Sequence, residues 1–245
     1  MFYFPDTYGN DCTACDSAVN FSAQSLSRET PMPLPKRLIE GYENFRSGRY
    51  ASEAERYLRL GEGRQKPSIM MIACCDSRAA PETVFDAGPG EIFVVRNVAN
   101  LVPPYTPDGG HHSTSAALEF AVLSLGVKHV VIMGHGRCGG IRAVAQPGSP
   151  LTDTDFIGRW MRPVRDVARV VPRPAGMADN EHERHIERAS IEHSLANLHT
   201  FPWIRMRENR REISLHGVWF DISLGELHVY DEDSAAWAPL EVEGR

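Results

Sequence analysis

The sequence predicts an α/β fold, a mostly parallel central β-sheet flanked by helices, with an extended or helical N-terminal arm. Three observations predict it. Apolar runs at 68–74 and 129–134 are continuous rather than alternating, so each reads as a strand buried on both faces. Between them, Leu118, Val122 and Leu125 recur with helical spacing. Strands that alternate with helices need crossover connections, which make the sheet parallel and cover both of its faces.

The elements follow in chain order. Residues 1–35 form the arm: Gly9-Asn10, a serine-rich stretch and the prolines of PMPLP at 31–35 favour extended chain without a core of its own. Residues 36–245 are long enough for one sizeable domain. Leu38, Tyr42 and Phe45 share a helix face, and Gly61-Glu62-Gly63 ends that helical segment. Residues 91–96 read as the second strand. The helix with Leu118 stops at Gly126. The third strand, 129–134, runs into His135-Gly136-Arg137-Cys138-Gly139-Gly140, where a new helix starts. Ile191, Leu195 and Leu198 mark a further helix, ended by Pro202. Residues 213–222 and 226–230 read as two more strands, the second a candidate edge.

Bulk properties exclude several classes. A net charge of −6 is the wrong sign for a nucleic-acid binder. No apolar run is long enough to span a bilayer, so no membrane partner is expected. The opening MFYFPDTYGN has neither the basic segment nor the cleavage site of a signal peptide. The five cysteines, Cys12, Cys15, Cys74, Cys75 and Cys138, are odd in number, which argues against a disulfide framework and for a reducing, cytoplasmic setting.

In a parallel sheet, ligands collect outside the carboxyl ends of the strands. Two motifs sit at such ends: Cys74-Cys75-Asp76-Ser77-Arg78 after the first strand, and His135-x-x-Cys138 after the third. Two thiolates and one imidazole suit zinc, and three protein ligands leave a fourth tetrahedral corner open, as in catalytic sites. On spacing and chemistry alone, a metal site and a set of buried thiols both remain open. Cys75 reads as a spectator, because successive strand side chains point to opposite faces.

These residues resemble the β-class carbonic anhydrases, whose zinc motif is Cys-x-Asp-x-Arg followed by His-x-x-Cys. The likeness extends to Pro-Gly-Glu at 89–91, Arg-Asn-Val-Ala-Asn at 96–100, Phe156-Ile157-x-x-Trp160, Ser194-Leu195-Ala196-Asn197-Leu198 and Gly217-Val218-Trp219-Phe220. It covers roughly residues 36–232. The resemblance implies one Zn²⁺ per subunit on Cys74, His135 and Cys138, and reversible hydration of carbon dioxide to bicarbonate by zinc-bound hydroxide. It implies that Asp76 accepts a hydrogen bond from the attacking oxygen and that Arg78 orients Asp76. It also implies a substrate wall of Phe93, Val98 and Phe120, the last replacing a family Tyr, with Gln65 on a substrate oxygen as in the plant-type subgroup. The family builds its site at a dimer interface, with wall residues from the partner subunit, which implies a homodimer or larger homo-oligomer. One subtype has a Trp three residues before the first ligand that forms a regulatory bicarbonate pocket; Met71 stands there, which argues against that regulation. Two thiolates neutralise the ion's charge, so turnover is expected to rise with pH through the neutral to alkaline range.

Gly139 admits two readings, a backbone N–H for an anion or close packing. Two rival functions are a zinc hydrolase of carbon disulfide or carbonyl sulfide on the same fold, and a non-catalytic zinc scaffold. Cys12-x-x-Cys15 has no second pair nearby to complete a metal site. His111-His112 reads as loop; these two and His216 could export protons. His182, His185, His193 and His199 are expected to face solvent from helices.

Overall fold

The computed structural model describes residues 34–146 and 156–242, so the Cys12/Cys15 pair and nearly all of the expected arm lie outside the described residues. The described chain falls into two units, one ending at Ala54 and one beginning at Glu55.

The first unit holds α1 (Lys36–Ser47) and α2 (Arg49–Ser52). Leu38, Tyr42 and Phe45 are on α1 as their spacing predicts, and the Phe45 ring stacks near Tyr42 and Tyr50, with centroids 6.4 and 5.8 Å apart. The helical segment does not run unbroken to the glycines at 61 and 63. Gly48 leaves helical geometry (φ −100°, ψ −94°) and separates α1 from α2.

The second unit takes up α3 (Ala54–Glu62) from its second residue onward, then β1 (Ile69–Cys74), α4 (Pro81–Val84) and β2 (Ile92–Asn97). A 3-10 turn over Val98–Asn100 follows, then α5 (Ser113–Glu119), which passes into a π-helical turn over Phe120–Leu125. Next come β3 (His129–His135), α6 (Gly139–Ala145), α7 (Ile157–Trp160), α8 (Arg162–Val170), α9 (Asp179–Leu198) and α10 (Pro202–Asn209). The chain closes with β4 (Ser214–Asp221), β5 (Glu226–Asp231) and β6 (Ala236–Pro239).

The six strands form one sheet in the order β2-β1-β3-β4-β5-β6. The pairs β1/β2, β1/β3 and β3/β4 are parallel, and β4/β5/β6 are antiparallel. The sheet is therefore mostly parallel, as the apolar runs require. The edge lies at β6, not at β5, because Ala236–Pro239 pairs on the far side of β5. Pro202 does more than end a helix: it opens α10 in the first turn, where its missing N–H costs nothing. Gly126 stops the π-helical turn in the left-handed conformation (φ +69°).

Alternation along the strands separates two faces. Met70, Ile72, Val130 and Ile132 join Leu118, Val122, Ile191, Leu195 and Leu198 in the main core. Met71, Ala73, Met133 and Val218 face the other way, toward Val84 of α4 and Val229 of β5. The long α9 lies close on β3 and β4 because both strands present glycine to it. A Cβ on Gly134 would stand 2.6 Å from Ile191 Cδ1, and one on Gly217 would stand 2.9 Å from Leu195 Cδ1. Small buried Ser190 and Ser194 complete the approach, and the Val102 amide donates to Ser194 Oγ at 3.2 Å. This packing sets the carboxyl ends of β1 and β3 beneath α9, where a third core cluster gathers Cys74, Ala99, Cys138, Met161, Val164 and Ile186.

Candidate metal centre

Cys74 is the last residue of β1 and His135 the last of β3, two adjacent parallel strands that end at the same rim. Beyond His135 the chain turns sharply. The Gly136 amide donates to the Phe220 carbonyl at 2.9 Å, Arg137 takes the left-handed conformation (φ +58°), and Cys138 is the residue from which α6 starts. The turn brings the two motifs together across 61 positions of sequence. The Cys74 and Cys138 sulfurs are 3.9 Å apart, and the three ligand atoms of Cys74, His135 and Cys138 all lie within 4.8 Å of one another. All three side chains are buried.

The donor set fits a zinc ion. A tetrahedral centre with metal–sulfur bonds of about 2.3 Å places its two sulfurs about 3.8 Å apart. His135 Nδ1 lies 3.0 Å from the Gly136 carbonyl, which can only accept, so that nitrogen carries the proton. Nε2 is then a bare lone pair, and it is buried with no hydrogen-bond partner. An orphaned buried nitrogen beside two sulfurs is what a metal ligand looks like without its ion.

Charge within the group points the same way. The Cys74 thiol is lowered to about 4 by its hydrogen bond with Cys138, then by His135, against the cost of burial. Cys138 is pushed up by the same hydrogen bond, by burial and by the Cys74 charge, while the amides of Ile141 and Gly140 pull it down. The pair therefore favours a thiolate at Cys74. His135 is raised: burial opposes its charge, but the adjacent Cys74 sulfur, the Gly136 carbonyl and the charge of Asp76 outweigh it. A divalent cation held there would favour the deprotonated form of both sulfurs.

Asp76 stands at the rim of the group, with Oδ2 3.8 Å from His135 Nε2. Arg78 grips it with two hydrogen bonds, Nε to Oδ1 at 2.9 Å and Nη2 to Oδ2 at 2.7 Å, and the Arg78 amide adds a third to Oδ1 at 3.0 Å. These bonds, the side chain's first, hold the Asp76 carboxyl well below the usual carboxylate range. Arg78 Nη2 also donates to the Arg137 carbonyl at 3.1 Å, tying the two motifs to each other. Cys75 is exposed, pointing away from its neighbour.

The remaining site residues separate into two groups. Val98 and the helix start at Gly139 lie at the metal rim. A Cβ on Gly140 would meet Val98 Cγ1 at 3.1 Å and Met161 Cε at 3.3 Å, whereas one on Gly139 would meet nothing within 4 Å. Close packing therefore accounts for Gly140 and not for Gly139. Gln65, Phe93 and Phe120 are at the opposite end of the sheet. Gln65 and Phe120 share a surface groove with Ser68 and Lys128, and Phe93, whose ring centroid is 5.9 Å from that of Phe120, pairs with Met70 at the start of β1. From Met70 to Cys74 is four steps of about 3.3 Å, ~13 Å along the strand. Within one chain these three do not face the metal group.

Two residues to which the sequence reading gave no role support the site. Arg96 donates from Nε to the Cys74 carbonyl at 2.8 Å and from Nη2 to the Asp76 carbonyl at 2.7 Å. A charge at the end of the apolar second strand was its visible signal. Glu187 on α9 is 4% exposed; it accepts from the Cys138 amide at 3.0 Å and from Trp219 Nε1 at 3.0 Å. Burial raises its carboxyl to about 7. Its local signal was spacing: Glu187 stands four residues before Ile191, on the buried face of α9. His182, expected to face solvent, is instead buried, because α9 turns that side toward α6 and α8. His111 and His112 lie in loop as read, with His112 Nε2 2.6 Å from Asp108 Oδ1.

Comparison with known proteins agrees with this geometry. Residues 69–227 match the family model described as "Carbonic anhydrase". Among curated proteins, the chain is 36% identical over 82% of its length to β carbonic anhydrase 5, chloroplastic, and 37% identical over 80% to β carbonic anhydrase 6, mitochondrial, both of Arabidopsis thaliana. It spans 66% and 67% of those proteins, and 71% of a carbonic anhydrase of Synechocystis that is 34% identical. The solved β-carbonic anhydrase CcaA superposes with a TM-score of 0.76 at 28% identity, covering 84% of this chain and 92% of that one. One of the tetrameric β-carbonic anhydrases of Sordaria macrospora superposes at 0.69 with 29% identity, covering 79% and 94%. The family model covers well over half of the chain and relatives at 34–37% identity bear the same family name, so the chain belongs to the β-class carbonic anhydrase family, and its Cys74–His135–Cys138 group can hold a zinc ion.

Proposed function

We propose that this chain catalyses the reversible hydration of carbon dioxide to bicarbonate and a proton. The observation that carries the proposal is the Asp76 carboxylate, locked by Arg78 beside a buried two-sulfur, one-nitrogen group. Zinc bound there supplies a Lewis acid that lets a water ionise near neutral pH.

The chain's own residues do the rest. Cys74, His135 and Cys138 would hold the ion, and Asp76 borders them at the rim. Asp76 is ionised and accepts only, so it selects an oxygen that still carries a proton and turns its lone pair toward carbon dioxide. Arg78 fixes the direction of Asp76 and keeps it charged. Val98 offers an apolar surface to an uncharged substrate, and the open Gly139 leaves backbone room for the anionic product.

The wall residues Gln65, Phe93 and Phe120 belong in this reading to the site of a second copy, so the working unit is a homodimer or a multiple of one. Phe120 and Leu123 are exposed on the described surface, which suits such a contact. The same name carries tetramers among the solved relatives. Among the described residues no helix is long and apolar enough to cross a membrane.

Metal analysis and stopped-flow hydration on one preparation test the proposal. One zinc per chain is expected, with carbon dioxide hydration that quickens from neutral to alkaline pH. Stoichiometric zinc with sulfide release from carbon disulfide or carbonyl sulfide and no hydration would assign the other hydrolase chemistry; zinc with neither activity would assign a scaffold.

A further inference from the structure

We propose that Glu187 is a positioning residue for Cys138, acting through the peptide unit that joins Arg137 to that ligand. This rests on the metal reading of Cys74, His135 and Cys138.

That peptide unit is held at both ends. Its carbonyl, on Arg137, accepts from Arg78 Nη2 at 3.1 Å, and its N–H, on Cys138, donates to Glu187 Oε1 at 3.0 Å. A guanidinium on the oxygen and a carboxylate on the N–H match the two ends of the peptide dipole, and charge-assisted bonds of this kind are the strong ones. The unit needs holding. Arg137 sits at φ +58°, a conformation that non-glycine side chains disfavour, and it does so between two ligands that are only three positions apart. Release of the Cys138 N–H would let the turn relax toward ordinary geometry and swing the sulfur away from Cys74 and His135.

Glu187 is itself fixed. Its second oxygen accepts from Trp219 Nε1 at 3.0 Å, and Trp219 lies buried on β4 with the Arg188 guanidinium 4.7 Å from its ring centroid. The side chain therefore bridges α9 and β4 to the ligand turn. A carboxylate buried only for packing is poor value, since an apolar residue of the same shape stabilises a core better. Both of its oxygens are spent on N–H donors, one belonging to a ligand, and that is how an outer partner orients a metal group.

A rescue experiment separates positioning from mere architecture. In Glu187→Gln the amide has one acceptor for two donors, so either the Cys138 N–H or the Trp219 N–H faces an NH₂ group. Removing the Trp219 donor as well, in Glu187→Gln/Trp219→Phe, frees the amide oxygen for Cys138. The readouts are zinc release to a chelator and the thiolate-to-metal absorption of the cobalt-substituted protein, with circular dichroism of the metal-free form as the folding control. We expect Glu187→Gln to release zinc about 10–100-fold faster with a shifted cobalt spectrum, and the double variant to recover most of both. Wild-type zinc release and spectrum in Glu187→Gln would overturn the proposal. So would a double variant no better than the single one, or loss of the folded metal-free form in both. A wild-type protein that takes up no stoichiometric zinc would instead remove the metal reading, and it shows this before any variant is compared.

Discussion

Asp76 Oδ2 lies 3.8 Å from His135 Nε2, the one ring nitrogen of that residue with nothing to bind. The separation is too long for a hydrogen bond. The carboxylate borders the metal group without belonging to it.

Asp76→Asn tests that placement. Asparagine keeps the size and loses the charge, and its NH₂ group cannot accept. Zinc content should stay at the wild-type level while carbon dioxide hydration slows by about 10²–10⁴-fold, the usual scale for a lost proton-handling group. Unchanged stopped-flow kinetics in this variant would refute the role given to Asp76.

The adjacent cysteines provide an internal contrast. Cys74 is buried at the end of β1 and Cys75 is exposed. Cys74→Ser, like His135→Ala, should lose both metal and hydration activity. Cys75→Ser should keep both, with unfolding free energy within about 0.5 kcal/mol of wild type, as surface changes usually are. Metal analysis and denaturant melts on the pair decide it; equal losses in both would mean that the assignment of Cys74 over Cys75 is wrong.

Close packing of α9 on the sheet predicts a stability effect. In Gly134→Ala the new Cβ would stand 2.6 Å from Ile191 Cδ1 and 3.0 Å from its Cγ1. Ile191 is fully buried and cannot withdraw without disturbing Leu195 and Leu198, its neighbours in the core. Overpacking of this kind costs about 1–3 kcal/mol. A urea midpoint unchanged from wild type would show that α9 is free to shift.

Stability should also respond to pH at the other end of the sheet. His129 Nδ1 and His216 Nε2 are 3.1 Å apart across β3 and β4. His216 is lowered by burial and then by the charge of His129, against a weaker opposite pull from Glu232. A lowered histidine takes up its proton in the unfolded chain first, so folding stability contributed here falls as pH drops below 6.5, the ordinary histidine value. Glu187 acts with the opposite sign: its carboxyl is raised from 4.5 to about 7, so its contribution is lost as pH rises through that range. The comparison must therefore be made against His216→Gln. Between pH 7.5 and 5.5 the variant should gain stability relative to wild type in parallel urea melts. Identical pH slopes would remove His216 from the account.

The sequence by itself determined the buried strands, the crossover helices and both ligand motifs, since apolar runs, helical spacing and residues at strand ends are written within short stretches of chain. It also carried the Asp76–Arg78 pair, whose partners are two positions apart. Other features had no local signal. The edge strand β6 depends on a pairing with β5 that a four-residue segment cannot announce. The burial of His182 depends on which side of α9 meets the helices beside it, since Glu181 and Glu183 flank it and are just as polar; Glu187 shares the face of Ile191, but its two N–H partners lie at Cys138 and Trp219, far away in sequence. The resemblance groups Gln65, Phe93 and Phe120 with the metal ligands, yet Phe93 pairs with Met70 at the opposite end of β1 from Cys74, and Gln65 and Phe120 lie at that same far end. Only the tertiary structure decided these, because burial, strand order and the reach of a side chain across the sheet are properties of long-range packing.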